Sequence, residues 1–518
     1  MKTFVAAFLA IALALSTASS AKTLRYASAF EPGTMDPHAV ATLYSTRILN
    51  QVYDLLVSRD EDFKMEPGLA LSWSAVQPTA WRFKLRPGVR FHDGTPFTAD
   101  DVVFSIERGL APTSAVKTNL PNVTGARKVD ELTVDILTTA PTPVLPAALT
   151  NMRIVSKAWM VKHNAQKPQD FKAKEDTFVS RNTNGTGPYM VKEWVPDSRT
   201  VLVANPNYWG KRGNVTEVRY QVLSSASTRL AGLISGEIDL IADPAIQDID
   251  RLKVTPGIKV VSGNSRATQF LGFDHSRDKL LYGDAGGKNP FKDRRVREAV
   301  RFAIDLNALR SVVMRNLADA GSALYTPAVE GYDPKFNKYS PYDLARARAL
   351  LKEAGYPDGF SVTLHCSSSQ PADAICQAVA GMLARVAIKV TYQALPFNTL
   401  IPKILARDVS FYGVGWTPST DAEGALVPLA HSPTKPGTGE YNAGSYANPK
   451  VDALIDSARV ELDAPKRLRY LADAMTEIDA DVGFIPIHYR HIFWATRANV
   501  KVKARPNDVL ELRFVNVD

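Results

Sequence analysis

The run at 86–108, RPGVRFHDGTPFTADDVVFSIER, constrains the fold of this chain more than any other stretch. It reads as a strand end, a Pro-Gly turn, a second short strand, an Asp-Gly turn and a helix. Pro87 presets φ for the first turn, and Gly88 and Gly94 sit where a side chain would strain the backbone. Thr98 is placed to cap a helix whose first turn carries Asp100 and Asp101, favoured by the positive end of the helix dipole. Val102, Val103 and Ile106 follow at helical spacing. This compact β-turn-β-turn-α unit is one part of a larger body. The 518 residues exceed the ~250–300 that one core holds, so two or three domains are expected.

The first 21 residues read as an export signal. Lys2 gives a positive start, residues 4–15 form an unbroken apolar run, and residues 16–21 are small, with Ser19 and Ala21 where a signal peptidase prefers them. The run is shorter than the roughly 20 residues a bilayer demands, and no Cys follows the cleavage point to carry a lipid. No later stretch is apolar enough for membrane insertion, so the mature chain is expected to be exported and soluble. The formal charge of +9 falls to +8 once Lys2 leaves. The densest basic cluster, at 292–301, alternates with acids and apolar residues, which describes a solvated helix face and no nucleic-acid footprint. The two cysteines, Cys366 and Cys376, form a close pair in an oxidising compartment. They read as a disulfide joining a strand end to the next helix, with two separate buried thiols as the alternative. A structural zinc site takes four ligands, and only His365 sits beside them.

Strands and helices alternate from end to end, with no low-complexity tract and no repeat at solenoid spacing. Strand patterns fall at 81–85, 133–137, 201–204, 218–223, 259–261, 362–365, 388–392 and 411–414. After Asp293, residues Val296, Ala299, Val300, Ala303 and Ile304 share one helical face. Ser340 is placed to cap a helix with Pro341 in its first position, running to Gly355. Further helices are expected at 372–386 and from Pro465 onward. The architecture is mixed α/β.

Six phrases carry a resemblance over nearly the whole mature chain. The opening run, NPNYWG, NGTGPYMVKEWV, GLISGEIDLIAD, DRRVREAVRFAID and YSPYDLARARALLKEAGYPDGF each resemble a phrase of the bacterial family 5 extracellular solute-binding proteins. These are the peptide- and nickel-type receptors of ABC importers. The resemblance implies an α/β, two-lobed periplasmic-binding-protein fold with an extra subdomain inserted in the first lobe. It implies a first lobe at 22–60, 183–270 and 490–518, an inserted subdomain at 61–182 and a second lobe at 271–489. It further implies a monomeric periplasmic receptor, with no cofactor and no enzymatic reaction. Such a receptor captures a di- or oligopeptide, or a related small organic solute, and delivers it to the membrane permease subunits of an ABC transporter.

A receptor of that kind needs a cleft with a few polar groups to orient its ligand. The strongest local candidate is FYGVGWTPSTD at 411–421, offering Tyr412, Gly415, Trp416, Thr417, Ser419 and Asp421 where a strand ends. Gly413 and Gly415 are positions where backbone can approach a ligand. Read alone, Trp416 is a core residue; the resemblance implies a cleft wall. Peptide-binding members carry an Asp three residues after this Trp to pair with the peptide ammonium, whereas here Ser419 stands there. Asp421 reaching the same place is the alternative. Arg153 matches an Arg that faces the ligand in nickel-type members, and its alternative is an ordinary surface role. The resemblance implies that the turn-rich run at 30–44 reaches the cleft, which makes Phe30, Met35, His38 and Tyr44 contact candidates, with packing the alternative for Met35 and Tyr44; Arg490 is a further candidate. His488 and His491 would make a metal pair on a helix, but Pro486 and the apolar run around them argue for a strand, where they face opposite sides.

Two other functions stand beside this one. A nickel or iron chelate, or an opine-like solute, would be held by Arg153, Trp416 and a histidine, with His38 the residue to watch. An exported hydrolase would need a nucleophile beside a base or a metal cluster, and the sequence holds no G-x-S-x-G and no H-E-x-x-H. Ala387 stands where the family has Gly, at the turn from a helix into the strand at 388–392.

Overall fold

The computed structural model describes residues 22–369, 371–434 and 437–518. The export signal read at 1–21 lies outside the described residues. A twelve-stranded mixed sheet organises the molecule. From one side, Phe360–Ser367 and Phe411–Trp416 lead to Ile258–Phe273 and its partner Phe484–Arg497. From there the sheet continues through Leu240–Ile241, Thr23–Ser28, Glu217–Val222, Arg199–Ala204 and Tyr189–Val195. Ile388–Leu395 pairs beside Phe360–Ser367, and Ala318–Ala320 beside Phe484–Arg497.

The two central strands cross from one half of the molecule to the other. They pair antiparallel from Ile258 opposite Arg497 to Gly272 opposite Phe484, and the register breaks between Asn264 and Thr268. The sequence there, SGNSRAT, is polar and small, so neither flanking core claims it and the ladder yields at that point. Cores lie on either side. Leu24, Tyr26, Leu202 and Trp494 pack in one half, while Leu271, Val300, Leu364 and Ile487 pack in the other.

The opening run of the sequence belongs to a four-stranded antiparallel sheet, ordered Ala70–Gln77, Ala80–Leu85, Thr133–Thr138, Val123–Asp130. The helix Ala99–Leu110 lays Val102 and Ile106 against Phe83, Val134 and Ile136. Its entry is fixed as expected, with the Thr98 amide donating to Asp101 Oδ2 at 2.9 Å. The expected second short strand is reduced to an isolated bridge between Arg90 and Pro96, because the Pro-Gly and Asp-Gly turns leave too few residues to extend it. The helix end has a wider role. Arg108 is buried and grips Asp36 through two bonds of 2.8 and 2.6 Å, tying the N-terminal loop to this sheet.

In the other half, Asp293 caps Arg294–Ala303 by accepting from the Arg295 amide. The helix expected from Ser340 begins later, at Leu344–Glu353, where Asp343 accepts from the Arg346 amide. Asp343 displaces Ser340 as cap because its own amide is committed to the Phe302 carbonyl, which leaves residues 340–342 outside the helix. The cysteines are joined, Cys366 from the strand Phe360–Ser367 to Cys376 in the helix Ala372–Ala384, with Cα atoms 6.6 Å apart.

Candidate functional site

Beside the break in the central ladder lies a cleft of 280 Å³. It opens at the carboxyl ends of Phe360–Ser367 and Phe411–Trp416, the place where ligands settle in open α/β sheets. Gln269 sits between Gly415 on one side and His488 on the other. Ser367 and Ser369 wall the cleft from the disulfide loop, and Phe397 from the helix Phe397–Leu405. Hollows of 440, 630 and 530 Å³ occur elsewhere, but their walls include neither crossing strand.

Trp416 is half-buried. Its Nε1 donates to the Gly424 carbonyl at 2.8 Å and its ring leans on Tyr441, with centroids 4.8 Å apart. The indole is therefore fixed on one side while it lines the cleft on the other. A Cβ at Gly415 would lie 3.1 Å from Gln269 Oε1, so a larger residue there would push the Gln269 side chain aside. Gly413 is required for a different reason than ligand approach: a Cβ would meet Cys366 Sγ at 2.7 Å. His488, which the sequence reading weighed only as a metal ligand, lines the cleft with 5% of its surface exposed. Burial, then the charges of Arg490 and His491, push its pKa down to about 4, so the ring is neutral at pH 7. Its Nδ1 is buried without a hydrogen-bond partner, as is Thr268 Oγ1 on the same wall. His491 points elsewhere, its Nε2 lying 3.0 Å from Asp319 Oδ2.

Of the residues singled out in the sequence, the cleft brings together Gly415, Trp416, Thr417 and Arg490. The remaining candidates make other contacts, and none lines this cleft. Met35 is fully buried among Leu49, Val52 and Tyr53. His38 is fully buried, and its Nε2 donates to the Arg153 carbonyl at 2.8 Å. Arg153 is buried too, and its guanidinium donates to Asn50 Oδ1 at 3.0 Å and to the Pro37 carbonyl. That burial rules out the surface alternative as well and draws its pKa down. Tyr412 is fully buried over Gly272. Asp421 is 4% exposed and held by Arg467. Ser419 is exposed just beyond the cleft wall, and its carbonyl accepts from Asn151 at 3.4 Å. The rings of Phe30 and Tyr44 meet at a tilt of 47°, centroids 4.5 Å apart, in the opposite half and outside the cleft walls.

One residue had no sequence signal. Arg266, in the irregular stretch of the crossing strand, donates through Nε to the Pro418 carbonyl at 3.1 Å and through Nη2 to the Thr420 carbonyl. It thereby fixes the loop that follows Trp416. Among the described residues no group of three or more His, Cys, Asp or Glu is arranged to hold a metal ion. Among them, too, no helix is long and apolar enough to cross a membrane.

A mixed α/β body whose halves meet along two crossing strands, with a polar and aromatic cleft at the junction, defines a solute receptor of the periplasmic-binding-protein class. The chain belongs to the bacterial extracellular solute-binding proteins, family 5, whose pattern matches residues 64–437. A glutathione-binding protein, GsiB, from Pectobacterium atrosepticum is 28% identical over 469 residues, covering 87% of this chain and 85% of that one. HbpA2 from Haemophilus parasuis superposes with a TM-score of 0.84 at 24% identity, covering 96% of this chain and all (100%) of that one. The periplasmic binding protein DppA from Helicobacter pylori, in complex with the peptide STSA, gives 0.73 at 23% identity over 96% of this chain and 98% of that one.

Proposed function

We propose that this protein is an exported periplasmic receptor that captures a peptide, or a related small organic solute, and delivers it to the permease of an ABC importer without transforming it. The cleft at the crossing strands carries this reading. It lies where a rotation of one half about the ladder break at 264–268 would close it. The sheet order supports a division into a first lobe at 22–60, 183–270 and 490–518, an inserted subdomain at 61–182 and a second lobe at 271–489. In this scheme closure carries the Phe30–Tyr44 pair toward Trp416. Ligand that touches both lobes then stabilises the closed state by its differential affinity.

The glutathione-binding relatives and the peptide-bound structures favour a short peptide. The metal-chelate alternative loses its support, because the guanidinium of Arg153 and the ring of His38 are both enclosed. The test is a thermal-shift screen of the mature protein with di- and tripeptides, glutathione, opines and nickel chelates. A ligand at ~100 times its Kd adds about 2.7 kcal/mol of stability, enough to detect. A peptide that raises Tm and is recovered intact supports the reading. Hydrolysis of that peptide by the purified protein overturns it.

A further inference from the structure

We propose that the cleft seats a carboxylate of its ligand between Arg490 and His488, and that this wall offers no counter-charge to a free ammonium group. The inference rests on the receptor reading and adds the charge of the solute. His488 is nearly enclosed and lines the cleft, and its ring Nδ1 is buried without a hydrogen-bond partner. A buried ring nitrogen left unpaired is a destabilising feature unless a ligand supplies the partner, and the tautomer with a proton on the cleft side is the one that serves a carboxylate. Arg490 lies two residues further along the same strand, so both side chains project from one face. It is exposed, lines the cleft and enters no ion pair with any of the described residues. The helix Ala372–Ala384 begins at the same wall with Pro371 and Ala372, and it directs the positive end of its dipole there without a side-chain cap.

No Asp or Glu is among the described residues of this wall. The nearby carboxylates are spoken for: Asp373 by Tyr392 and Gln377, Asp319 by His491, Asp421 and Glu423 by Arg467, and Asp508 by Arg47 and Trp494. An ammonium placed here would meet an unpaired guanidinium. A carboxylate would receive up to two bonds from Arg490 and one from the His488 N–H.

The experiment uses trialanine in three forms: N-acetylated with a free carboxylate, unmodified, and C-amidated with a free amine. Affinities are measured by calorimetry on the full mature protein. The acetylated and unmodified forms are expected to bind within about threefold of each other, and the amidated form about tenfold or more weaker, the weight of one charge-assisted bond. Arg490→Gln is expected to weaken the acetylated form by about tenfold and to leave the amidated form within about threefold. His488→Gln, which keeps a donor, should weaken the acetylated form less than Arg490→Gln does. An amidated form that binds as tightly as the acetylated one, or an Arg490→Gln protein with unchanged affinity, overturns the inference and leaves the receptor reading standing. Failure of all three forms to bind overturns the peptide reading and this inference with it.

Discussion

Arg467 closes over Asp421 with two guanidinium nitrogens, the longer contact being 3.2 Å, and both side chains are buried. The same guanidinium reaches Glu423 at 2.5 Å. Asp421 is therefore an anchor of the loop after Trp416. Removing one member of a buried pair costs about 3–5 kcal/mol, and the remaining Glu423 contact places Asp421→Asn at the lower end. Denaturant unfolding should show a loss of about 3 kcal/mol. Calorimetry on the folded variant should show ligand affinity changed by less than about threefold, and a larger change would return Asp421 to the binding surface.

Trp416 is held by its bond to the Gly424 carbonyl and by Tyr441, so its ring is a fixed wall instead of a mobile flap. Truncation removes a large flat surface from the cleft while the loop stays tied by Arg266. Trp416→Ala should weaken binding about tenfold or more, as loss of a buried aromatic anchor does, with the circular dichroism spectrum preserved. Unchanged affinity would take Trp416 out of the site.

The disulfide encloses Ser367, Ser369, Pro371 and Ala372, four cleft-lining positions, in a loop whose ends are 10 residues apart. Removing such a link typically frees about 2–3 kcal/mol of chain entropy to the unfolded state. The double variant Cys366→Ala, Cys376→Ala should therefore unfold at lower denaturant. It should also bind more weakly, because one wall of the cleft loses its tether. Full affinity in the destabilised protein would show that the wall is held by packing alone.

Much of this architecture was legible because it is periodic. The helix Arg294–Ala303 announces itself by Val296, Ala299, Val300 and Ala303 on one face, and Asp293 marks where it starts. The crossing strand Ile258–Phe273 did not, and only 259–261 carried a strand pattern. Its centre is polar and small, and it is extended because it bridges two cores instead of lying within one. The site divides the same way. Thr417 and Arg490 follow from position at or along strands beside the cleft, whereas Trp416 read alone is a core residue and only the family resemblance turns it to the cleft wall. The burial of Arg153 and His38, the seizure of Asp421 by Arg467 and the hold of Arg266 on the 418–420 carbonyls are long-range pairings. No spacing in the chain encodes them.

His38 gives the fold a pH dependence of definite sign. Burial, and then the charge of Arg108, push its pKa down to about 3 against an ordinary 6.5, so it folds as the neutral imidazole that donates to the Arg153 carbonyl. Below pH 6.5 the unfolded chain takes up a proton here that the folded chain refuses, so stability is lost as pH falls from 6.5 toward 3. By pH 5 the loss from this group is roughly 2 kcal/mol. Buried carboxyls such as Asp54, whose pKa is raised by burial, act in the opposite direction, so the term must be isolated by difference. His38→Gln keeps an N–H donor and removes the titration. Its stability should fall less between pH 7 and pH 5 than that of the parent, by roughly 2 kcal/mol; parallel pH curves would show that the ring does not titrate in this way.

Ala387 occupies a left-handed backbone position, φ 64°, at the turn from the helix Ala372–Ala384 into the strand Ile388–Leu395. Its amide closes the turn on the Ala384 carbonyl at 3.1 Å, so the conformation is fixed by the helix end and not by the residue type. An L-residue in that region carries about 1–2 kcal/mol of strain that Gly does not. Gly also makes the unfolded chain more flexible, which returns part of the gain. Ala387→Gly should therefore stabilise the protein by about 0.5–1 kcal/mol. The turn packs against Gly359, φ 71°, where a Cβ would lie 1.9 Å from the Ala387 carbonyl oxygen. Gly359→Ala should consequently destabilise strongly, because relief would have to come from moving the strand Phe360–Ser367 away from Ile388. A denaturant series on the two variants decides the matter: opposite signs follow from the geometry, and equal losses would mean that the left-handed turn at Ala387 carries no strain.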